Sequence, residues 1–142
     1  MRHAEAPHRR QHLLRHRLSL QRLQEGYNIL IFPEYNKKYN HVLYDFQDRF
    51  IDLAKLYYKK TGKALQFVPL YIAPNLHQSH ICEPIRFDPD APIAEERERI
   101  KQYLMDSITA KAESLPEHTV VPYRNIRKRD YPSSRPTAEE SA

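Results

Sequence analysis

The chain has 142 residues, which is enough for one domain with one hydrophobic core. It contains no run of about 18 apolar residues and no apolar stretch typical of a signal peptide, so the sequence predicts neither a membrane span nor a secretory signal. Its single cysteine, Cys82, excludes a disulfide framework and a thiolate metal cluster, and it fits a reducing, cytoplasmic setting.

The net charge of +5 comes from the two ends of the chain. Residues 1–25 hold six arginines against two glutamates, residues 26–115 hold twelve basic and twelve acidic side chains, and residues 116–142 carry a charge of +1. A nucleic-acid-binding domain concentrates its basic residues on one folded face. The distribution therefore argues against a nucleic-acid partner.

Composition predicts three parts: a basic, disordered arm over 1–17, a partial α/β domain over 18–115, and a disordered tail over 116–142. Apolar periodicity predicts, in chain order, a helix over 12–25, a strand over 28–33, a helix over 46–60, strands over 64–73 and 80–88, and a long helix over 92–114. Each of the two glycines, Gly26 and Gly62, follows a predicted helix, as expected for the left-handed residue that ends one.

The apolar runs over 28–33 and 64–73 predict the fold class. They are nearly continuous rather than alternating, which is typical of strands covered on both faces in a parallel sheet. A strand, a helix and a strand in succession form a βαβ unit. We therefore predict an α/β fold with a partial, mostly parallel sheet and flanking helices, made of a βαβ unit, a third strand and a long C-terminal helix. Pro69 lacks an amide donor and indicates a sheet edge or a bulge.

Glu34 is the first candidate functional residue, because it follows the predicted strand over 28–33. Ligands of open α/β sheets bind beyond the carboxyl ends of the strands, so Glu34 is either a ligand contact or a solvated residue at a strand end. Lys37 and Lys38 come next, in a tyrosine-rich loop. They are either cationic donors to a phosphate or ordinary solubilising residues.

Other polar residues carry weaker signals. His41 and Asp45 are spaced like a general base and its orienting carboxylate, but Asp45 is better explained as a helix N-cap. His77 and His80 lack an obvious third metal ligand, and Cys82 is expected to be a buried small hydrophobe. The sequence therefore identifies no metal site and no catalytic residue.

Three short motifs resemble the C-terminal half of the glycerolipid acyltransferase family, which is typified by 1-acylglycerol-3-phosphate acyltransferase. Phe32-Pro33-Glu34 matches the end of a family strand, Val68-Pro69 matches a later strand, and Glu83-Pro84-Ile85 matches most of a Gly-Glu-Pro-Ile-like turn. The motifs follow the order of the family, and the resemblance spans about residues 18–115.

The resemblance implies transfer of an acyl group from acyl-CoA or an acyl carrier protein thioester to a lysophospholipid, with no further cofactor. It implies that Phe32, Pro33 and Glu34 contact the acceptor, and that Lys37 or Lys38 replaces the arginine of the usual Gly-Thr-Arg-Ser continuation. The general base of the family is the histidine of an upstream His-x4-Asp motif, and this chain has no such motif. We therefore expect a truncated or mis-started product, inactive alone.

The expected location is cytoplasmic, peripheral on the inner face of the membrane, where the lysophospholipid acceptor lies. The alternative function is a non-catalytic binding module whose basic N-terminal arm attaches to anionic lipid or nucleic acid. In either case an incomplete sheet leaves strand edges uncovered, which predicts self-association.

Overall fold

The computed structural model describes residues 7–35, 43 and 45–118, and it has the predicted mixture of helices and strands. In chain order the elements are helix α1 (Pro7–Gln24), a 3-10 helix (Arg49–Ile51), helix α2 (Asp52–Thr61), strands β1 (Gln66–Phe67) and β2 (Leu70–Ala73), a second 3-10 helix (Pro74–Leu76), strands β3 (Gln78–Ile81) and β4 (Ile85–Arg86), and helix α3 (Ile93–Ser114).

The described strands pair antiparallel, so the prediction of a mostly parallel sheet with a βαβ unit is wrong. β2 pairs with β3 and β1 pairs with β4, each in a two-stranded ladder. The reason lies in the connection after β2. The 3-10 turn Pro74–Leu76 and His77, whose φ is 52°, reverse the chain at once. So short a connection joins only antiparallel strands, because a parallel pair needs a crossover of about a dozen residues.

The predicted strands over 64–73 and 80–88 are each interrupted. The first breaks at Val68 and Pro69, and the second breaks over residues 82–84. Pro69 has no amide to donate, but its carbonyl accepts the amide of Cys82 at 2.9 Å. The interruption therefore separates the β1–β4 ladder from the β2–β3 ladder while the two chain segments stay side by side.

The predicted strand over 28–33 is absent: residues 27–33 form neither helix nor strand. Its side chains are not buried, since Leu30 is 62% exposed and Phe32 is 78% exposed. An apolar run becomes a strand only when a neighbouring strand supplies hydrogen bonds, and among the described residues none pairs with residues 28–32.

The three predicted helices form, and two of them start at a different residue. α3 agrees with the predicted range and follows Pro92 directly, whereas α1 begins at Pro7 rather than at residue 12. α2 begins only after the first 3-10 helix, and Asp45 does not cap it, since its carboxylate accepts the amide of Phe46. Gly62 ends α2 as predicted, with φ of 69° and its amide bonded to the Tyr58 carbonyl.

The core forms along one side of α3. A first cluster of buried residues comprises Phe46, Ile51, Ala54, Phe87, Ile100 and Leu104. A second comprises Tyr71, Ala73 and Ala112. Ile108 packs against both clusters, so α3 joins the ladders to the helical part of the chain. α1 lies against α2.

Candidate functional site

Glu34 lies on an extended segment that backbone hydrogen bonds hold in place. It pairs with Phe46 in an isolated antiparallel bridge. On either side of the bridge, the Gln47 amide donates to the Pro33 carbonyl at 2.8 Å and the Tyr35 amide donates to the Asp45 carbonyl at 3.1 Å. The prediction that Glu34 lies beyond the carboxyl end of a parallel strand is therefore wrong, because Glu34 lies within an antiparallel bridge. Its backbone is anchored to the segment that leads into α2.

The neighbours of Glu34 differ in exposure. Phe32 is exposed, while Pro33 and Glu34 are half-buried. Glu34 therefore keeps part of its surface accessible to solvent, two residues after an exposed aromatic side chain. Lys37 and Lys38, the predicted phosphate contacts, lie outside the described residues, as does His41.

Lys101 brings positive charge from α3 to the segment that pairs with Glu34. Its ammonium group is 3.7 Å from the Asp45 carboxylate and 3.2 Å from the Glu98 carboxylate. The hydrogen bond to Glu98 and the charge of Asp45 raise the pKa of Lys101, so the side chain stays cationic at neutral pH. Sequence reasoning missed this contact, because it joins residues far apart in the chain.

The second and third motifs are neighbours in the fold. The amide of Cys82, just before Glu83-Pro84-Ile85, donates to the Pro69 carbonyl, and Phe67 pairs with Ile85 across the β1–β4 ladder. Tyr103 of α3 donates its hydroxyl to the Glu83 carbonyl at 2.9 Å. The Glu83 side chain is exposed, so the structure gives this motif a backbone role.

Glu96 is the buried carboxylate at the start of α3, and it ties the helix to the strand before it. It accepts the Asp88 amide at 2.8 Å and two donors of Arg99 at 2.6 and 2.7 Å. Arg99 in turn donates to the Arg86 carbonyl at 2.8 Å. The hydrogen bond from Arg99 lowers the pKa of Glu96, and burial opposes that shift. The sequence does contain a signal for this ion pair, since Glu96 and Arg99 are three residues apart and so lie on one face of a helix.

A second polar contact lies within the core and also escaped sequence reasoning. The Tyr71 hydroxyl and His118 Nε2 form a hydrogen bond, and both side chains are buried. His118 Nδ1 bonds to the Pro116 carbonyl at 2.6 Å, which makes Nδ1 the protonated nitrogen. In the neutral imidazole, Nε2 is then the acceptor for the tyrosine hydroxyl. The contact holds residues 116–118, the start of the predicted tail, against β2.

The remaining predicted groups have local roles. His77 takes the left-handed turn conformation after β2, and His80 Nε2 contacts the side-chain oxygen of Gln78 at 3.0 Å. Cys82 is half-buried rather than buried. Across residues 7–35 and 45–118, no group of three or more His, Cys, Asp or Glu side chains has the arrangement of a metal site. Within the same ranges, every helix is too short or too polar to cross a bilayer.

Comparisons with protein-family models, with curated proteins and with solved structures find no match to this chain.

Proposed function

We propose that this chain is the C-terminal part of a glycerolipid acyltransferase, working at the inner, cytoplasmic face of a membrane. The reaction moves an acyl group from acyl-CoA or an acyl carrier protein to a lysophospholipid such as 1-acylglycerol-3-phosphate. The acceptor hydroxyl attacks the thioester carbonyl carbon, the carbon–sulfur bond breaks, and the leaving thiolate takes up the proton that the hydroxyl lost. In this proposal the general base is a histidine contributed from outside this chain.

One observation supports the proposal most directly. The three family-like motifs occur in order along the sequence, and the second and third are adjacent in the fold through the Cys82 to Pro69 hydrogen bond and the pairing of Phe67 with Ile85. Two motifs that lie side by side can contribute to one site, and this is the support that their adjacency gives the proposal. The antiparallel pairing describes their arrangement more accurately than the predicted parallel sheet.

The acceptor contacts of the proposal are Phe32, Pro33 and Glu34, with Lys37 or Lys38 on the phosphate. A half-buried carboxylate such as Glu34 accepts hydrogen bonds from the hydroxyl groups of a glycerol backbone. A lysine neutralises a phosphate as a point charge but lacks the bidentate fork of the arginine that it replaces. We therefore expect weaker selection among acceptor head groups than an arginine gives.

The test fuses this chain to the N-terminal half of a glycerolipid acyltransferase that carries the His-x4-Asp motif. Transfer of a labelled acyl group from acyl-CoA to 1-acylglycerol-3-phosphate is then measured. We expect turnover by the fusion and none by the chain alone. Glu34→Gln lowers kcat/KM about ten-fold or more. Glu95→Gln, an exposed position of α3, leaves it unchanged. A fusion that melts cooperatively yet transfers no acyl group to any lysophospholipid refutes the proposal.

A further inference from the structure

An exposed apolar segment follows α1. Four of its side chains are accessible to solvent: Tyr27 at 60%, Leu30 at 62%, Ile31 at 38% and Phe32 at 78%. Soluble proteins expose single apolar side chains routinely, but four of them within the short segment 27–32 make it a candidate interaction surface.

The helix before this segment is strongly basic. α1 contains arginines and no aspartate or glutamate; the arginines are Arg9, Arg10, Arg15, Arg17 and Arg22. Arg17 is exposed, and so is Leu18 beside it. Positive charge and apolar surface therefore lie next to each other, whereas residues 26–115 as a whole are neutral.

Two contacts fix the segment to the end of α1. The Tyr27 amide donates to the Arg22 carbonyl at 3.0 Å, and the Arg22 guanidinium lies 5.7 Å from the centre of the Tyr27 ring. Tyr27, the first of these apolar side chains, is therefore held against the end of the basic helix.

We propose that α1 and residues 27–32 together bind the surface of a lipid bilayer that contains anionic headgroups. Arginines attract the headgroups, and aromatic and aliphatic side chains enter the boundary between headgroups and acyl chains. A nucleic acid matches the charge but leaves Leu30, Ile31 and Phe32 in water. A second copy of the chain covers the apolar side chains but brings two basic helices together, which repel.

The backbone limits how deeply the segment inserts. Among the described residues, no backbone hydrogen bond involves residues 28–32. Unpaired amides and carbonyls are costly in hydrocarbon but are satisfied by water and phosphate at the headgroup level. The segment therefore binds at the interface, within about 5–10 Å of the headgroup boundary.

The test uses the full chain and vesicle co-sedimentation. Vesicles of phosphatidylcholine alone are compared with vesicles of phosphatidylcholine mixed with phosphatidylserine, at about 0.1 M and about 1 M salt, since the higher salt shortens the Debye length to about 3 Å. We expect binding only to the mixed vesicles and a marked loss in high salt. Leu30→Ser and Arg17→Glu should each weaken the apparent affinity roughly ten-fold.

Two matched variants serve as controls. Ile81→Ser removes an apolar side chain that is 78% exposed on β3, and Lys63→Glu reverses an exposed charge after α2. Neither should change vesicle binding, and thermal melts should show that all four variants fold like the parent. The inference does not rest on acyl transfer, so vesicle binding and turnover succeed or fail separately.

Three results overturn the inference. The first is equal binding to neutral and mixed vesicles, or none to either. The second is a pair of observations: the chain binds duplex DNA and Arg17→Glu weakens that binding, while Leu30→Ser leaves vesicle binding unchanged. The third is a dimer in ultracentrifugation that Leu30→Ser dissociates, with no binding to vesicles.

Discussion

Replacing Glu96 should destabilise the protein, because the hydrogen bonds that its buried carboxylate accepts are lost. The side chain is 2% exposed and accepts hydrogen bonds from the Asp88 amide and from Arg99. Glu96→Ala leaves the Asp88 amide without its charged acceptor, at a cost of about 1.5–3 kcal/mol. The half-exposed Arg99 adds no more than about 1 kcal/mol, because water screens the pair. We expect the free energy of unfolding to fall by about 1.5–4 kcal/mol.

The effect of Glu96 should depend on pH, with a defined sign. The Arg99 hydrogen bond holds the pKa of Glu96 below its ordinary value in the folded state. The contribution of the carboxylate is therefore fully present above the unfolded-state pKa of about 4.3 and is lost as pH falls through the lower folded-state value. Glu96→Gln imitates the protonated acid. The stability difference between parent and variant should thus be largest at neutral pH and shrink below about pH 4.

Urea unfolding followed by circular dichroism measures both effects. The parent, Glu96→Ala, Glu96→Gln and Glu95→Ala are compared at neutral and acidic pH. Glu95 lies in the same first turn of α3 but is exposed, so its replacement controls for the favourable interaction of a carboxylate with the helix N-terminus, worth about 0.3–1 kcal/mol. The reasoning is refuted if Glu95→Ala costs as much as Glu96→Ala, or if the Glu96→Gln difference is the same at both pH values.

Three further changes test the core, a helix end and the buried tyrosine–histidine contact. Ile100→Ala, at a position with no exposed surface, should cost about 2–5 kcal/mol in urea unfolding, and a cost below about 1 kcal/mol would show that the cavity collapses. Gly62→Ala should cost about 1–2 kcal/mol because φ is 69°, although the added methyl group meets nothing; an unchanged melting temperature would contradict the left-handed helix end. Tyr71→Phe should cost about 1–3 kcal/mol by leaving His118 Nε2 without its donor, and Tyr58→Phe, at an exposed position, should cost nothing measurable.

The parts that the sequence predicted well depend on local signals. The spacing of Ile100, Leu104 and Ile108 marks the buried side of α3, and Pro92 marks its start. Gly62 ends α2 because a left-handed residue there costs glycine little. Pro69 was predicted to mark an edge or a bulge of one strand over 64–73, and the structure instead breaks the strand there, since proline has no amide for a strand ladder.

The candidate site was predicted less completely, because its contacts join distant parts of the chain. Glu34 was singled out from its place after an apolar run, yet its bridge to Phe46 depends on the segment before α2. The contact of Lys101 with Asp45 and the burial of His118 have no local sequence signal. Burial of a polar side chain is decided by what packs over it, and periodicity does not report that.

By itself, the sequence determined the order of the three helices and that Gly62 ends α2, because these follow from backbone preferences of one residue and its near neighbours. Only the tertiary structure decided that the strands pair antiparallel, that residues 27–32 stay exposed, and that Glu96 becomes a buried, charge-paired carboxylate. Strand direction and burial depend on which distant segments meet. An apolar run has the same sequence pattern whether or not another segment covers it.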